Sequence, residues 1–208
     1  MKILKVTLLF KNEFHTTGES KGAFIDLLKD HNGVPYIPAT HIKGIMRSEA
    51  ERLLRKKEGI PCNITGVEVC DEVKNGKYRC DVCRIFGTPN VEGGMDFRDG
   101  KIRITQFRTE DNIIPVSRMH VSIDRDKQVN SKQALFNISS VPQGTRFTGY
   151  LFIKSELNDS ENRLLYASLH SMGHYGIGKD RSRGLGGIES IDGLKISEIS
   201  EDEYMEGR

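Results

Sequence analysis

"RFTGYLFIKSELNDSENRLLYASLHSM", residues 146–172, joins a β-rich stretch directly to an amphipathic one, and the joint decides the fold. Arg146 to Lys154 reads as a strand. After it, Ser160 stands where it would cap a helix over Glu161–Met172, whose apolar face is Leu164, Leu165, Ser168, Leu169 and Met172. Upstream, Lys2–Phe10 (KILKVTLLF) partly alternates and predicts a central strand. From Thr40, placed as an N-cap, Ile42, Ile45, Met46, Ala50, Leu53 and Leu54 fall at helical spacing, and the other face carries Lys43, Arg47, Arg52, Arg55, Lys56 and Lys57. Lys101–Phe107 and Gly187–Ile199 supply further strands. Residues 15–36 read as loop, punctuated by Gly18, Gly22, Asp30, Asn32, Gly33 and Pro35, and residues 111–140 as a long connection or projecting hairpin. Strand, helix, strands, helix, strand is the order of an α+β, ferredoxin-like unit with two helices on one face of an antiparallel sheet.

At 208 residues the chain can bury one sizeable core, and one domain over 1–208 is expected. A hydrophobic fraction of 37% and a charged fraction of 29% exclude a disordered or membrane-spanning chain. The apolar run Val6–Phe10 is broken by Thr7 and followed by Lys11 and Glu13, so no signal peptide or anchor is expected and the default address is the cytoplasm. There is no internal repeat. A net charge of +2 says nothing about a polyanionic partner, because the footprint that matters is local. Residues 41–59 carry six cations against three acids, whereas 198–208 carry five acids against one arginine, which reads as a solvated tail.

The cysteines Cys62, Cys70, Cys80 and Cys83 all lie in a polar stretch, 59–98, that looks like an insertion with its own staple. Cys80 and Cys83 form a C-x-x-C, and with the upstream pair they predict a structural, four-thiolate zinc site. Four thiolates leave no open position, so this metal would not react. A pair of disulfides is disfavoured without a secretory signal. The stretch "GHYGIGKDRSRGLGGI", residues 173–188, holds six glycines, three cations and one acid. Its glycines allow close approach and would expose consecutive N–H groups to phosphate, with Lys179, Arg181 and Arg183 adding charge. It fits neither the P-loop nor the dinucleotide fingerprint. A second phosphate-friendly element, the start of the helix with Lys43 and Arg47 four residues apart, points to an extended polyanion.

Together, "GVPYIPATHIKGIMRSEAERLL" (33–54), "CDVCRIFG" (80–87), "VSIDRDKQVNSKQALFNISSVPQGTRFTG" (121–149) and "GIGKDRSRGLGGI" (176–188) resemble the RAMP superfamily. More narrowly, they look like the backbone subunit of type III CRISPR effector complexes. The resemblance implies an RRM-like palm, a projecting thumb hairpin within 111–140, and copies that stack with other subunits along a guide RNA paired to a target RNA. It carries RNA-binding roles onto Thr40, His41, Lys43, Arg47, Arg125, Lys179, Arg181 and Arg183. The chain departs from the family's usual Gly-Ser-Ser triplet, with Ala39, Thr40 and His41 in its place.

The same resemblance puts the family's target-cleaving aspartate on Asp26, within "GAFIDLLKDHNGVPYIP", followed by Lys29 and Asp30. A carboxylate of this kind positions a divalent cation, expected to be magnesium, beside the scissile phosphate while the 2′-hydroxyl attacks. His15 is an alternative general base. Three functions stay open on the sequence: a guide-bound, antiviral endoribonuclease subunit, a binding scaffold without cleavage, and a zinc-stabilised duplex reader outside CRISPR. None involves a membrane.

Overall fold

Alternation builds the first strand. In β1 (Lys2–Leu9), Leu4, Val6 and Leu8 are buried on one face while Lys5 on the other is exposed. In the computed structural model, which describes residues 1–58, 80–88, 99–124, 129–190 and 192–207, β1 is central to a sheet. β10 (Leu194–Ile199) and β9 (Arg146–Ile153) flank it, both antiparallel. β5 (Ile102–Ile104) and β6 (Phe107–Arg108) both pair with β9, and β4 (Tyr36–Ile37) extends the sheet from β6. Ile42, Met46, Ala50 and Leu54 of α1 (Ala39–Glu58) and Leu165, Leu169 and Met172 of α3 (Asp159–Tyr175) join Leu4, Val6 and Leu8 in one buried cluster. Each of these side chains except the small Ala50 contributes about 1.5–3 kcal/mol by leaving water, so this helix-covered face is the energetic centre. None of the described helices is long and apolar enough to cross a membrane.

A second sheet has the order β2 (Thr17–Lys21), β3 (Phe24–Leu27), β8 (Val129–Ser140), β7 (Val116–Asp124). β7 and β8 form a long antiparallel hairpin within the stretch read as connection or hairpin, while β3 joins β8 in parallel. The two sheets meet through the backbone pairing of Phe14 with Val141. Around that joint the Phe14 ring stacks on Phe10 at 4.3 Å and meets Phe147 edge-on at 5.8 Å.

Several expectations are corrected. Residues 15–36 are not all loop: Gly22, at φ 59°, turns β2 into β3, and β3 exists because Phe24 and Ile25 find Asn137 and Ile138 far away in the chain. Thr40 does not cap α1 but sits inside its first turn, and the Pro38 carbonyl accepts from the N–H groups of His41 and Ile42. The cap of α3 is Asn158, in a reciprocal capping box with Glu161, and Ser160 instead donates to Asp81 at 2.6 Å. The last strand begins at Leu194, after a turn, and not at Gly187. Strand 101–107 breaks at Thr105, whose hydroxyl accepts from the Tyr150 N–H. The acidic end is no free tail: α4 (Glu201–Glu206), capped by Ser200, sets Tyr204 edge-on against Tyr150 and Phe152. Finally, α2 (Asp81–Phe86) lies inside the stretch read as a polar insertion yet buries Val82, Cys83, Ile85 and Phe86 in the main core.

Gly149 on β9 tests this packing. A Cβ there would lie 1.9 Å from the Phe107 ring, which is buried and has no room to retreat. Gly149→Ala is expected to cost about 1–3 kcal/mol or more, read as a lowered urea midpoint at unchanged m-value.

Candidate nucleic-acid interface

The glycine-rich stretch is a closed, anchored loop. A Cβ at Gly186 would lie 1.7 Å from the Ile177 carbonyl oxygen, and one at Gly178, at φ 97°, would lie 2.6 Å from that of His15. Glycine is used here so that the loop can touch itself and the protein. The N–H groups of Gly176, Ile177, Lys179, Arg183, Gly184, Leu185 and Gly186 all donate to backbone carbonyls, so the expectation that bare amides face a phosphate is corrected for them. Ile177 and Leu185 are buried as plugs, and Lys179, Arg181, Ser182 and Arg183 are left exposed around a 3₁₀ turn, Arg181–Arg183. The loop's affinity for anions therefore resides in side chains, although Arg183 also pairs with Asp180 at 3.4 Å.

The start of α1 does adjoin this loop. Thr40, His41, Gly44, Ile45, Ser48 and Arg181 help line a cleft of about 270 Å³. Burial first, and then the Arg181 charge, hold the His41 ring below the usual histidine range, and its buried Nε2 has no hydrogen-bond partner among the described residues. Lys43 and Arg47 are on a different face, because two residues along a helix turn through about 200°. Arg47 donates to Glu51 at 2.9 Å and to the Gly87 carbonyl at 2.7 Å, and its guanidinium lies 3.9 Å from the Cys83 sulfur. It ties α1 to the end of α2. Burial lowers the Lys43 pKa against the opposing pull of Asp99, which itself pairs with Lys154.

Asp26 reaches the same region through His15. The imidazole is fully buried, donating from Nδ1 to the Ser139 carbonyl at 2.6 Å and facing the Thr17 hydroxyl from Nε2 at 3.3 Å. Burial keeps it neutral, and both nitrogens are engaged, so it has no opening for the general-base role considered above. The His15 carbonyl holds the Lys179 N–H at 3.0 Å, which docks the glycine-rich loop beside β3 and β8. Asp26 is about 30% exposed there, accepting from the Leu27 N–H at 2.7 Å and from the Lys29 ammonium at 2.8 Å. Partial burial pushes its carboxyl up, but Lys29, the Leu27 amide and Ser139 outweigh that and hold it ionised below the ordinary range. Asp30 has a structural task, closing the turn to Asn32 and Val34 and pairing with Arg108 at 2.7 Å.

Cys80 and Cys83 lie at the start of α2, and both are buried. Cys62, Cys70 and Arg125 lie outside the described residues, and among the described residues no three potential metal ligands converge. Missed by the sequence reading were Glu49, Arg52 and Tyr175, which share a cleft with Arg181; the one signal was an aromatic directly before the glycines.

The family model of the RAMP superfamily matches residues 8–189, and the chain belongs to that superfamily. No curated protein matches it. Among solved structures it is similar to a chain in the cryo-EM structure of the Type III-B Cmr-β complex bound to cognate target RNA, with TM-score 0.63 and 20% identity over 96% of this chain. It spans 61% of that chain's length. It is also similar to a chain of a Type IV-B CRISPR complex, with TM-score 0.65 and 13% identity over 94% of this chain and 90% of the other. At these identities the likeness is one of fold.

Stability should fall in mild acid. His15 and His41 protonate less readily folded than unfolded, so the unfolded chain binds more protons as pH drops below about 6.5, and stability present above that value is lost below it. Each ring contributes a limiting slope of about 1.4 kcal/mol per pH unit. The lowered carboxylates Glu13 and Asp26 act only below about pH 4.5. Urea midpoints between pH 7.5 and 5.5 should therefore decrease, and His15→Gln should flatten the slope while lowering stability at pH 7.5.

Proposed function

We propose that this chain is a guide-RNA-binding backbone subunit of a CRISPR effector complex, that it assembles with further copies of itself and other subunits, and that it cleaves target RNA at Asp26. One observation carries the reading: Arg181 adjoins the start of α1, while Lys179 of the same loop is docked through His15 beside the strand that bears Asp26. Lys179 and Asp26 both lie close enough to His15 to act on its charge, which supports reading the cationic rail of the loop and the carboxylate as parts of one site. Thr40, His41, Lys179, Arg181 and Arg183 are the residues that would hold the guide, with Arg125 added by resemblance. Lys43 and Arg47 support the rail from behind α1. The order β10–β1–β9–β5, antiparallel throughout, with α1 and α3 on one face, supports reading the larger sheet as a ferredoxin-like palm. The β7–β8 hairpin is the natural thumb.

A divalent cation, magnesium, would stabilise charge on the scissile phosphate when bound. One ionised carboxylate, completed by waters and phosphate oxygens, fits that ion's habits. Asp26 would hold it, Lys29 keeps that carboxylate ionised, and the phosphate rail positions the strand. A non-catalytic scaffold is the second reading, favoured by the fact that both Asp26 oxygens already accept hydrogen bonds within the protein. Asp26→Asn separates the two. Under the first, target cleavage by the assembled complex falls at least roughly 100-fold with RNA binding unchanged, while unchanged cleavage leaves the scaffold. Sequencing RNA co-purified with the chain tests the class: repeat-derived guides are expected, and guide-independent preference for duplex DNA would overturn it.

We also propose a structural zinc held by Cys62, Cys70, Cys80 and Cys83. Cys80 and Cys83 open a helix, where the amide dipoles favour thiolate, and the Arg47 guanidinium beside Cys83 adds to this. Elemental analysis of the purified chain should find about one zinc per chain, with loss of metal in Cys80→Ser.

A further inference from the structure

We propose that Tyr175 is a stacking platform for one unpaired nucleobase of the strand that the glycine-rich loop holds, an inference that rests on the RNA-binding reading above. Tyr175 is the last residue of α3 and is 50% exposed; among the described phenylalanines and tyrosines only Phe24, at 39%, is also exposed. The ring is not loose. The Arg52 guanidinium covers one face, 4.7 Å from the ring centroid, and the His174 ring meets it at 84° and 5.1 Å.

Arg52 is itself oriented by a built network. Its Nε donates to Glu49 at 2.9 Å and its Nη2 to the Ser171 hydroxyl at 2.9 Å, while that hydroxyl donates to Glu49 at 2.6 Å. Glu49 is only 9% exposed, so a buried carboxylate spanning α1 and α3 fixes the cation that backs the ring. A tyrosine backed by a cation, braced by a neighbouring ring and still half exposed is a preorganised surface for a flat, electron-rich partner.

The surroundings identify that partner. Tyr175 lines a cleft of about 700 Å³ with Gly178, Asp180, Arg181 and Ser182, so the ring shares its space with the cationic turn. Asp180 is paired with Arg183 and the Glu49 carboxylate is taken by Arg52 and Ser171, so among the described residues of the cleft Arg181 is a cation with no acidic partner, its Nη1 reaching only the Gly176 carbonyl at 3.5 Å. Arg181 and Glu49 also line the cleft that holds His41, whose buried Nε2 has no partner among the described residues and suits a ribose hydroxyl. An aromatic face and an exposed arginine in one cleft, with an unsatisfied polar atom in the adjoining cleft that shares Glu49 and Arg181, match base, phosphate and sugar in turn. Stacking of this kind does not depend on base identity, since every base has a π-face.

The test compares a short single-stranded RNA with the same ribose-phosphate strand lacking bases, measured by fluorescence anisotropy on the full chain. Tyr175→Ala should weaken binding of the RNA roughly 5- to 140-fold, the equivalent of about 1–3 kcal/mol, and change binding of the abasic strand by less than about twofold. Tyr175→Phe should bind both strands as the parent does, because the stacking face is retained. Arg181→Ala should weaken both strands together. Equal weakening of both strands by Tyr175→Ala, or no effect on either, would overturn the stacking site while Arg181→Ala still reports RNA binding. Failure of the parent chain to bind either strand would overturn the RNA-binding reading, and the stacking site with it.

Discussion

A neutral histidine sealed between two sheets organises this surface. The His15 ring donates to the Ser139 carbonyl on β8, its own carbonyl takes the Lys179 N–H, and its neighbour Phe14 stacks into the joint between the sheets. Among the described residues the ring's hydrogen-bond partners are the Ser139 carbonyl and the Thr17 hydroxyl and no carboxylate, so burial selects the neutral form, with Nδ1 as the donor. The ring of this one residue holds β8 and its main-chain carbonyl holds the glycine-rich loop, while the next residues, Thr16 and Thr17, pair with the Asp26 strand. The cationic loop is consequently a part of the scaffold. Its glycines let the backbone close on His15 and on itself, and its charge is carried by side chains that project from a fixed base.

Helix α1 serves two neighbours with two faces. His41 and Ser48 look toward Arg181, whereas Arg47 is drawn to the Gly87 carbonyl and the Cys83 sulfur. A guanidinium that satisfies a helix C-terminal carbonyl and approaches a thiol is held by directional bonds, and it anchors the only described part of the cysteine-rich segment to the core. The same economy appears at Glu49, which is buried in the α1–α3 contact and reaches outward through Arg52 to Tyr175. Interior packing thus sets the positions of surface groups that have no packing role of their own.

Local signals were legible where the physics is local. The alternation of β1, the apolar stripes of α1 and α3 and the strand at 146–154 depend on residues close in sequence, and the order of elements followed from them. Cap positions were read one or two residues off, because Asn158 and Ser160 are equally good hydroxyl or amide caps until the backbone decides which faces the helix. The pairing of β3 with β8, the docking of α4 by Tyr204 and the burial of Cys83 in the main core were not legible. Each depends on a partner contributed by a remote stretch, and a six-residue helix such as α4 has no stability alone.

For the site the division is similar. Sequence alone determined the inventory: a basic glycine-rich stretch, a helix start rich in hydrogen-bonding groups, a loop carboxylate and paired cysteines. Tertiary structure decided which members of that inventory share a surface, turning Arg47 toward α2, Lys43 toward Asp99 and His41 toward Arg181, and it added Tyr175 in the adjoining cleft. The reason is geometric: a side chain's direction follows from the rotation of its own helix, but what it meets depends on residues remote in the chain, 40 positions on for Arg47 and Gly87.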